Sequence, residues 1–269
     1  MKRSPVLKIA TVLGFLFLYA PIVSLVVFSF NENRLVTVWS GFSLKWYGEL
    51  FQNDQLVGAA ILSLQIAAVS ATLALVLGTL ASVALVRFRR FRGKTLMIGM
   101  VSAPLVMPDV IIGLSLLLLF VSMEQLIGWP AGRGTLTVII AHATFGMAYV
   151  TVVVQSRLSD LDISLEEAAQ DLGATPARVF FDITLPIISP ALVSGWLLSF
   201  TLSLDDLVIA SFVNGPGSST LPMVIFSKIR RGVSPDVNAL ATIIIGLAAI
   251  GVLIAMLIAL RQGKPRRTA

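Results

Sequence analysis

The chain contains no cysteine and a single histidine, and only 13% of its 269 residues are charged, 20 basic and 14 acidic. The missing cysteines exclude disulfides, thiolate nucleophiles and cysteine-ligated metal. One histidine excludes a multi-histidine metal centre within the chain. The scarcity of charge says more. Globular domains run at about 25% charged and about 45–50% apolar, whereas 57% of this chain is hydrophobic and its mean hydropathy is +0.92. So little charge does not cover a soluble enzyme of this size, and so much apolar sequence does not stay disordered. The net charge of +6 invites a nucleic-acid partner, but the distribution of that charge argues against one.

What fills the chain is long apolar runs. A bilayer core takes roughly 20 apolar residues as a helix, and six stretches qualify: Ile9–Phe30, Val57–Val86, Leu96–Val121, Leu136–Gln155, Ile187–Val213 and Ala239–Leu260. Continuous apolarity excludes barrel strands, which are shorter and alternate. The first run follows Met1-Lys2-Arg3 like a signal peptide, yet it is too long and lacks a small-x-small cleavage site, so it reads as a retained span. Lys and Arg near span ends stay cytoplasmic. With the N-terminus inside, fourteen of the 20 basic residues fall in inner segments and six in outer ones, which places both termini inside. The basic run Arg87-Phe88-Arg89-Arg90-Phe91-Arg92 then reads as a topology anchor on anionic lipid, and no nucleic acid is needed to explain the basicity.

Two apparent motifs fail. Gly93-Lys94-Thr95 resembles the end of a phosphate-binding loop, but the glycine that motif needs five positions earlier is Phe88. His142 lies inside the fourth run with no second histidine nearby and reads as a satisfied packing histidine.

The longest inner connection, about residues 157–186, is patterned. Ser164-Leu165-Glu166-Glu167 reads as a capping box opening a helix from Leu165 to Leu172. Gly173 stands at its left-handed C′ position. Thr175 and Pro176 open a second helix as N-cap and N1 that runs toward Pro186. Acids crowd the first helix, Glu166 and Glu167 among them, beside the small pair Ala168 and Ala169.

Glu167-Ala168-Ala169, Gly173 four positions later, and Ile183-x-Leu185-Pro186 after nine more residues match the EAA loop of ABC importer permeases at every fixed position. The chain resembles that family along its whole length. Pro104–Asp109, Ser203–Asp206 and Asn214–Gly217 look like its polyamine branch, closest to the putrescine permeases. The resemblance implies an all-α polytopic membrane protein with six transmembrane helices, the type I importer permease fold, as a single permease domain over 1–269. It implies a transport subunit and no enzyme. It also implies a bacterial inner-membrane location and no cofactor in this chain, ATP and magnesium being held by a separate ATPase. The implied partners are a pair of ATPase subunits, a second and different permease chain, a periplasmic polyamine-binding protein and membrane lipid. Glu166, Glu167, Ala168, Ala169, Gly173, Ile183, Leu185 and Pro186 would couple to the ATPase, the short helix sitting in a cleft on it.

Acids inside the spans bear on the substrate. A carboxylate in the bilayer is costly and marks a functional site by default. Asp109, Asp205 and Asp206 lie within spans, and no Lys or Arg does. They are protonated, paired by another subunit, facing water, or bound to a passing cation. Along straight helices entering from the inside, Asp109 lies roughly 20 Å deep and Asp205 roughly 27 Å, both in the outer half. Pro108 breaks its helix just before Asp109. We expect these acids to attract or pass an organic diamine, with Tyr19 and Trp196 as cation–π candidates. Capping of a helix break by Asp205 or Asp206 remains open. In the outer segments, Trp39, Trp46 and Tyr47 read as an interfacial aromatic belt, and Leu221–Gly232 as an amphipathic piece with a solvated basic face. The alternatives are a proton-coupled secondary transporter of organic cations, which would often show inverted repeats, an ABC permease for another small solute, and a non-transport scaffold, which leaves the acids unexplained.

Overall fold

A computed structural model describes residues 5–34, 38–88, 90–232 and 235–262. Lys2, Arg3, Arg89, Lys264, Arg266 and Arg267, which weigh in the orientation argument, lie outside the described residues. Among those described there are twelve α-helices, one π-helical turn and no strand beyond an isolated bridge between Asn31 and Phe42. Five helices are long and apolar enough to cross a membrane: Val6–Phe28, Asp54–Arg87, Asp109–Ile127, Thr135–Ser159 and Pro176–Asp205. Lys94–Val106 and Pro235–Gly251 are shorter apolar helices.

Two expected spans differ in a way that matters for the site. The third is not one helix. α4 (Lys94–Val106) and α5 (Asp109–Ile127) are separated by Met107 and Pro108, both with extended backbone. Pro108 has no amide to donate and pushes the residue before it out of the helical region. A depth measured along a straight helix therefore does not apply to Asp109, which begins a new helix. The fifth span starts earlier than expected. α8 (Pro176–Val179) runs through a π turn (Phe180–Thr184) into α9 (Leu185–Asp205). Pro186 cannot donate back to the carbonyl of Asp182, and the turn before it takes one extra residue. The helix stops at Asp205, and α10 (Val208–Val213) begins after Asp206 and Leu207.

The chain divides into two compact units. Residues 1–57 and 225–269 form one. There α12 (Pro235–Gln262) packs against α1 (Pro5–Phe28) and α2 (Lys45–Phe51). The loop before α2 folds around Asn31, whose side chain bonds the backbone of Val38 and Ser40. Trp46 is buried and donates its indole N–H to the carbonyl of Asn31 at 2.7 Å, and Tyr47 bonds Ser29. Trp46 is thus an inside residue of a loop and not part of a belt, Tyr47 is half-buried beside it, and Trp39 remains exposed. In α11 (Leu221–Arg231), Lys228 is not simply solvated but pairs with Asp236.

Residues 58–224 form the other unit. α6 (Thr135–Ser159) is its centre, packed against α9, α4 and α10. Small residues permit this. A Cβ on Gly146 would stand 2.2 Å from the Ser199 hydroxyl and 3.2 Å from Ala74, so only glycine lets α6 lie this close to α9 and to α3 (Asp54–Arg87). Ile66, Phe120, Val138, Phe145 and Ile209 form the core on one side of α6, and Val150, Val154, Leu158 and Ile188 on the other.

Candidate functional site

The loop after α6 carries the first group of site residues. α7 spans Ser164–Asp171. The expected capping box does not form. The Ser164 amide donates to Asp162 Oδ1 at 3.0 Å rather than to the Glu167 side chain, an aspartate readily bonding the backbone two residues on, and the Glu167 amide donates to the Ile163 carbonyl at 3.0 Å. The amide and hydroxyl of Ser164 hold the Asp162 carboxyl below the ordinary range. The C-terminal end is as expected. Gly173 has φ +87°, its amide donates to Gln170, and Ala174 donates to Ala169, the two bonds of a Schellman ending. Thr175 caps α8, its hydroxyl accepting from the Arg178 amide at 3.4 Å.

α7 is turned inside out. Leu165, Ala168, Ala169 and Leu172 share one face, at the i, i+3, i+4, i+7 spacing. That face looks outward: Leu165 is 48% exposed and Leu172 91%. Glu166 is the buried residue of the helix. Its Oε1 accepts from Arg87 at 2.9 Å and from the Thr184 hydroxyl at 2.7 Å. Glu167 beside it is exposed. The eight loop residues thus divide. Glu166 faces the chain's own helices. Glu167, Ala168, Gly173 and Pro186 are exposed, and Ala169, Ile183 and Leu185 are half-buried. Ala169, Gly173 and Ile183 line a hollow of about 230 Å³ with Arg178 and Asp182. Arg87, read as part of a lipid anchor, points inward to Glu166.

The second group lies at the breaks in the helices. Asp109 opens α5, Asp205 ends α9 and Asp206 precedes α10. α5 packs along α10, and Asp109 and Asp206 both lie close enough to Asp205 for their charges to act on it. The three acids are not equivalent. Asp206 Oδ1 accepts from the amide of Ile209 at 3.2 Å, and Oδ2 accepts from Ala210 at 2.7 Å and faces His142 Nε2 at 3.1 Å. It caps α10 and has a ring partner, so the expectation of three unpartnered acids is corrected for Asp206. Asp109 and Asp205 are exposed.

His142 is buried, as expected of a packing residue, but it also joins a polar chain. The Nε2 edge of the ring faces Asp206, and Nδ1 lies 2.7 Å from the Ser203 hydroxyl. Ser70 donates to Ser203 at 3.0 Å. This links α3, α9, α6 and the break before α10. Sequence spacing does not reveal it, because the partners are 61 to 133 residues apart. Trp196 stacks on Phe200 and donates to the Thr72 hydroxyl at 3.1 Å. It lies nine residues before Asp205, about 14 Å along the helix and on its opposite face, so the structure does not bring it to the acids. Tyr19 belongs to α1 in the other unit, exposed and stacked on Phe15.

Residues 74–267 match the family described as binding-protein-dependent transport system inner membrane component. The chain is 61% identical over 264 residues to the putrescine transport system permease protein PotI of Escherichia coli, covering 98% of this chain and 94% of that protein. It is 48% identical over 242 residues to the spermidine/putrescine transport system permease protein PotC of Haemophilus influenzae, covering 90% and 91%. Among solved structures it resembles a chain of a bacterial ABC transporter involved in import of the acidic polysaccharide alginate, with TM-score 0.72 at 19% identity over 96% and 95% of the two chains. It also resembles a chain of the MetNI methionine ABC transporter, with TM-score 0.59 at 16% identity over 77% and 95%. At such identities the likeness establishes the fold and nothing finer.

Proposed function

The chain belongs to the family of binding-protein-dependent transport system inner membrane components, and on that premise we propose that it is the permease subunit through which an ATP-driven importer moves putrescine-like diamines into the cytoplasm. It is a multi-pass inner-membrane transport subunit, with both termini on the cytoplasmic side. It works as one permease domain beside a second, different permease chain. ATP and magnesium belong to a separate ATPase pair, and a periplasmic binding protein delivers the substrate. The observation that carries the substrate class is the end-to-end likeness to a putrescine permease.

The geometry supplies a physical basis for both halves of this reading. An exposed Leu165–Ala168–Ala169–Leu172 face on a two-turn helix is apolar surface awaiting a protein, and it fits a cleft on the ATPase. Asp109 and Asp205 are exposed acids at helix breaks, the places where transporters bind their cargo. Two carboxylates attract an ammonium group and repel an anion. Asp206 is committed to its cap and to His142, so Asp109 and Asp205 do the attracting.

The test is ATP hydrolysis by the complex reconstituted with its ATPase, second permease and binding protein. Putrescine is expected to stimulate hydrolysis, whereas methionine and alginate oligosaccharide leave it at the basal rate. An assembled complex that putrescine fails to stimulate would overturn the substrate assignment.

A further inference from the structure

We propose that Arg87 is a positioning residue for energy coupling, and that its ion pair with Glu166 is a strut passing movement of α7 to α3. The proposal rests on the reading that α7 docks on an ATPase. α3 is a single unbroken helix of 34 residues, about 50 Å long, and Arg87 is its last residue. The guanidinium donates from Nη2 to Glu166 Oε1 at 2.9 Å and from Nη1 to the Leu158 carbonyl, near the end of α6, at 3.4 Å. The same Oε1 accepts from Thr184 in the π turn that leads into α9. One carboxylate oxygen therefore fastens α7 to α3 and to the start of the fifth span.

Three features give this contact a mechanical character. A cavity of about 400 Å³ lies between the end of α3 and α7, lined by Val83 and Phe88 on one side and by Ile163, Glu167 and Gln170 on the other. Side chains do not fill that space, and Arg87 and Glu166 both line it. Among the described residues theirs is the one ion pair or hydrogen bond linking α3 to α7. The side chains of Arg87 and Glu166 are only 18% and 12% exposed, so solvent screens the pair less than it screens a surface one. Removing either partner leaves the other charge uncompensated. The outward leucines of α7 then move with the ATPase while its inward acid pulls on α3.

The test uses the full complex and reads two quantities, the ATPase retained on purification and the putrescine taken up per ATP hydrolysed. Arg87→Gln and Glu166→Gln are expected to retain the ATPase and to lower uptake per ATP by about tenfold, the size of an ordinary coupling energy. The charge swap R87E/E166R is expected to recover several-fold of that loss. Single variants that transport with the normal ratio would overturn the strut. Where a single variant fails to assemble, the apolar pair R87M/E166M decides. Assembly with a lowered ratio supports the strut, and assembly with the normal ratio overturns it. The exposed-face variant L165D/L172D separates this claim from the docking reading. Loss of the ATPase there, with the strut variants normal, overturns the strut alone. Retention of the ATPase and full uptake overturns the docking reading and the strut with it.

Discussion

Asp205 and Asp206 are adjacent in sequence and differ in kind. Asp206 is held by two amides and a buried imidazole, while Asp205 is exposed at a helix end. Substitution should separate them. Asp205→Asn and Asp109→Asn are expected to cut putrescine uptake roughly tenfold or more, equivalent to losing one charge-assisted contact, and to leave the thermal midpoint in detergent unchanged. His142→Ala is expected to cost about 1–3 kcal/mol in chemical denaturation, since it removes a ring partner from both Asp206 and the buried Ser203 hydroxyl, leaving the latter only Ser70. His142→Asn, which keeps a donor and an acceptor, should recover part of that loss. A normal denaturation midpoint for His142→Ala would remove the ring from the account of the α10 cap. The acids were legible in the sequence because charge within an apolar span is rare. Their division of labour was not, because it depends on a histidine 64 residues away from Asp206.

At the scale of the element, short-range chemistry was the readable part. The Gly173 ending and the Thr175 cap follow from local backbone rules, and both stand as expected. Gly173→Ala places a Cβ at φ +87° and is expected to cost about 1 kcal/mol of stability. The α7 start was misread, since Asp162 takes the Ser164 amide expected to meet Glu167, and the Glu167 amide bonds the Ile163 carbonyl. The Asp162 contact has a pH signature. Its folded-state pKa is lowered, so the stabilisation is fully present above the ordinary aspartate range and is lost as pH falls through the folded value. Amide exchange at Ser164 should quicken over that acid window, and Asp162→Asn should abolish the dependence. In the fifth span, apolarity alone placed the start at Ile187, whereas the helix begins at Pro176 and passes through α8 and the π turn. The outward apolar stripe of α7 was present at helical spacing all along. It went unread because such a stripe normally marks the buried face, and only the position of Glu166 reverses that. Close helix approach gives another prediction. Gly146→Ala meets the Ser199 hydroxyl and is expected to cost about 1–3 kcal/mol in unfolding. Ser199→Gly in the same chain should restore most of it. Additive losses would show that the two helices do not meet there.

For the whole molecule, composition placed the chain in a membrane, and loop spacing placed it among the importer permeases. The family match over residues 74–267 agrees with both. The central claim is ATP-driven diamine import through this chain, and its most direct measurement is uptake of labelled putrescine into proteoliposomes holding the assembled complex and its binding protein. The account predicts accumulation that needs ATP on the ATPase side and collapses in the complex carrying Asp109→Asn and Asp205→Asn. Accumulation that proceeds without ATP, or that the doubly substituted complex sustains at the normal rate, would contradict it.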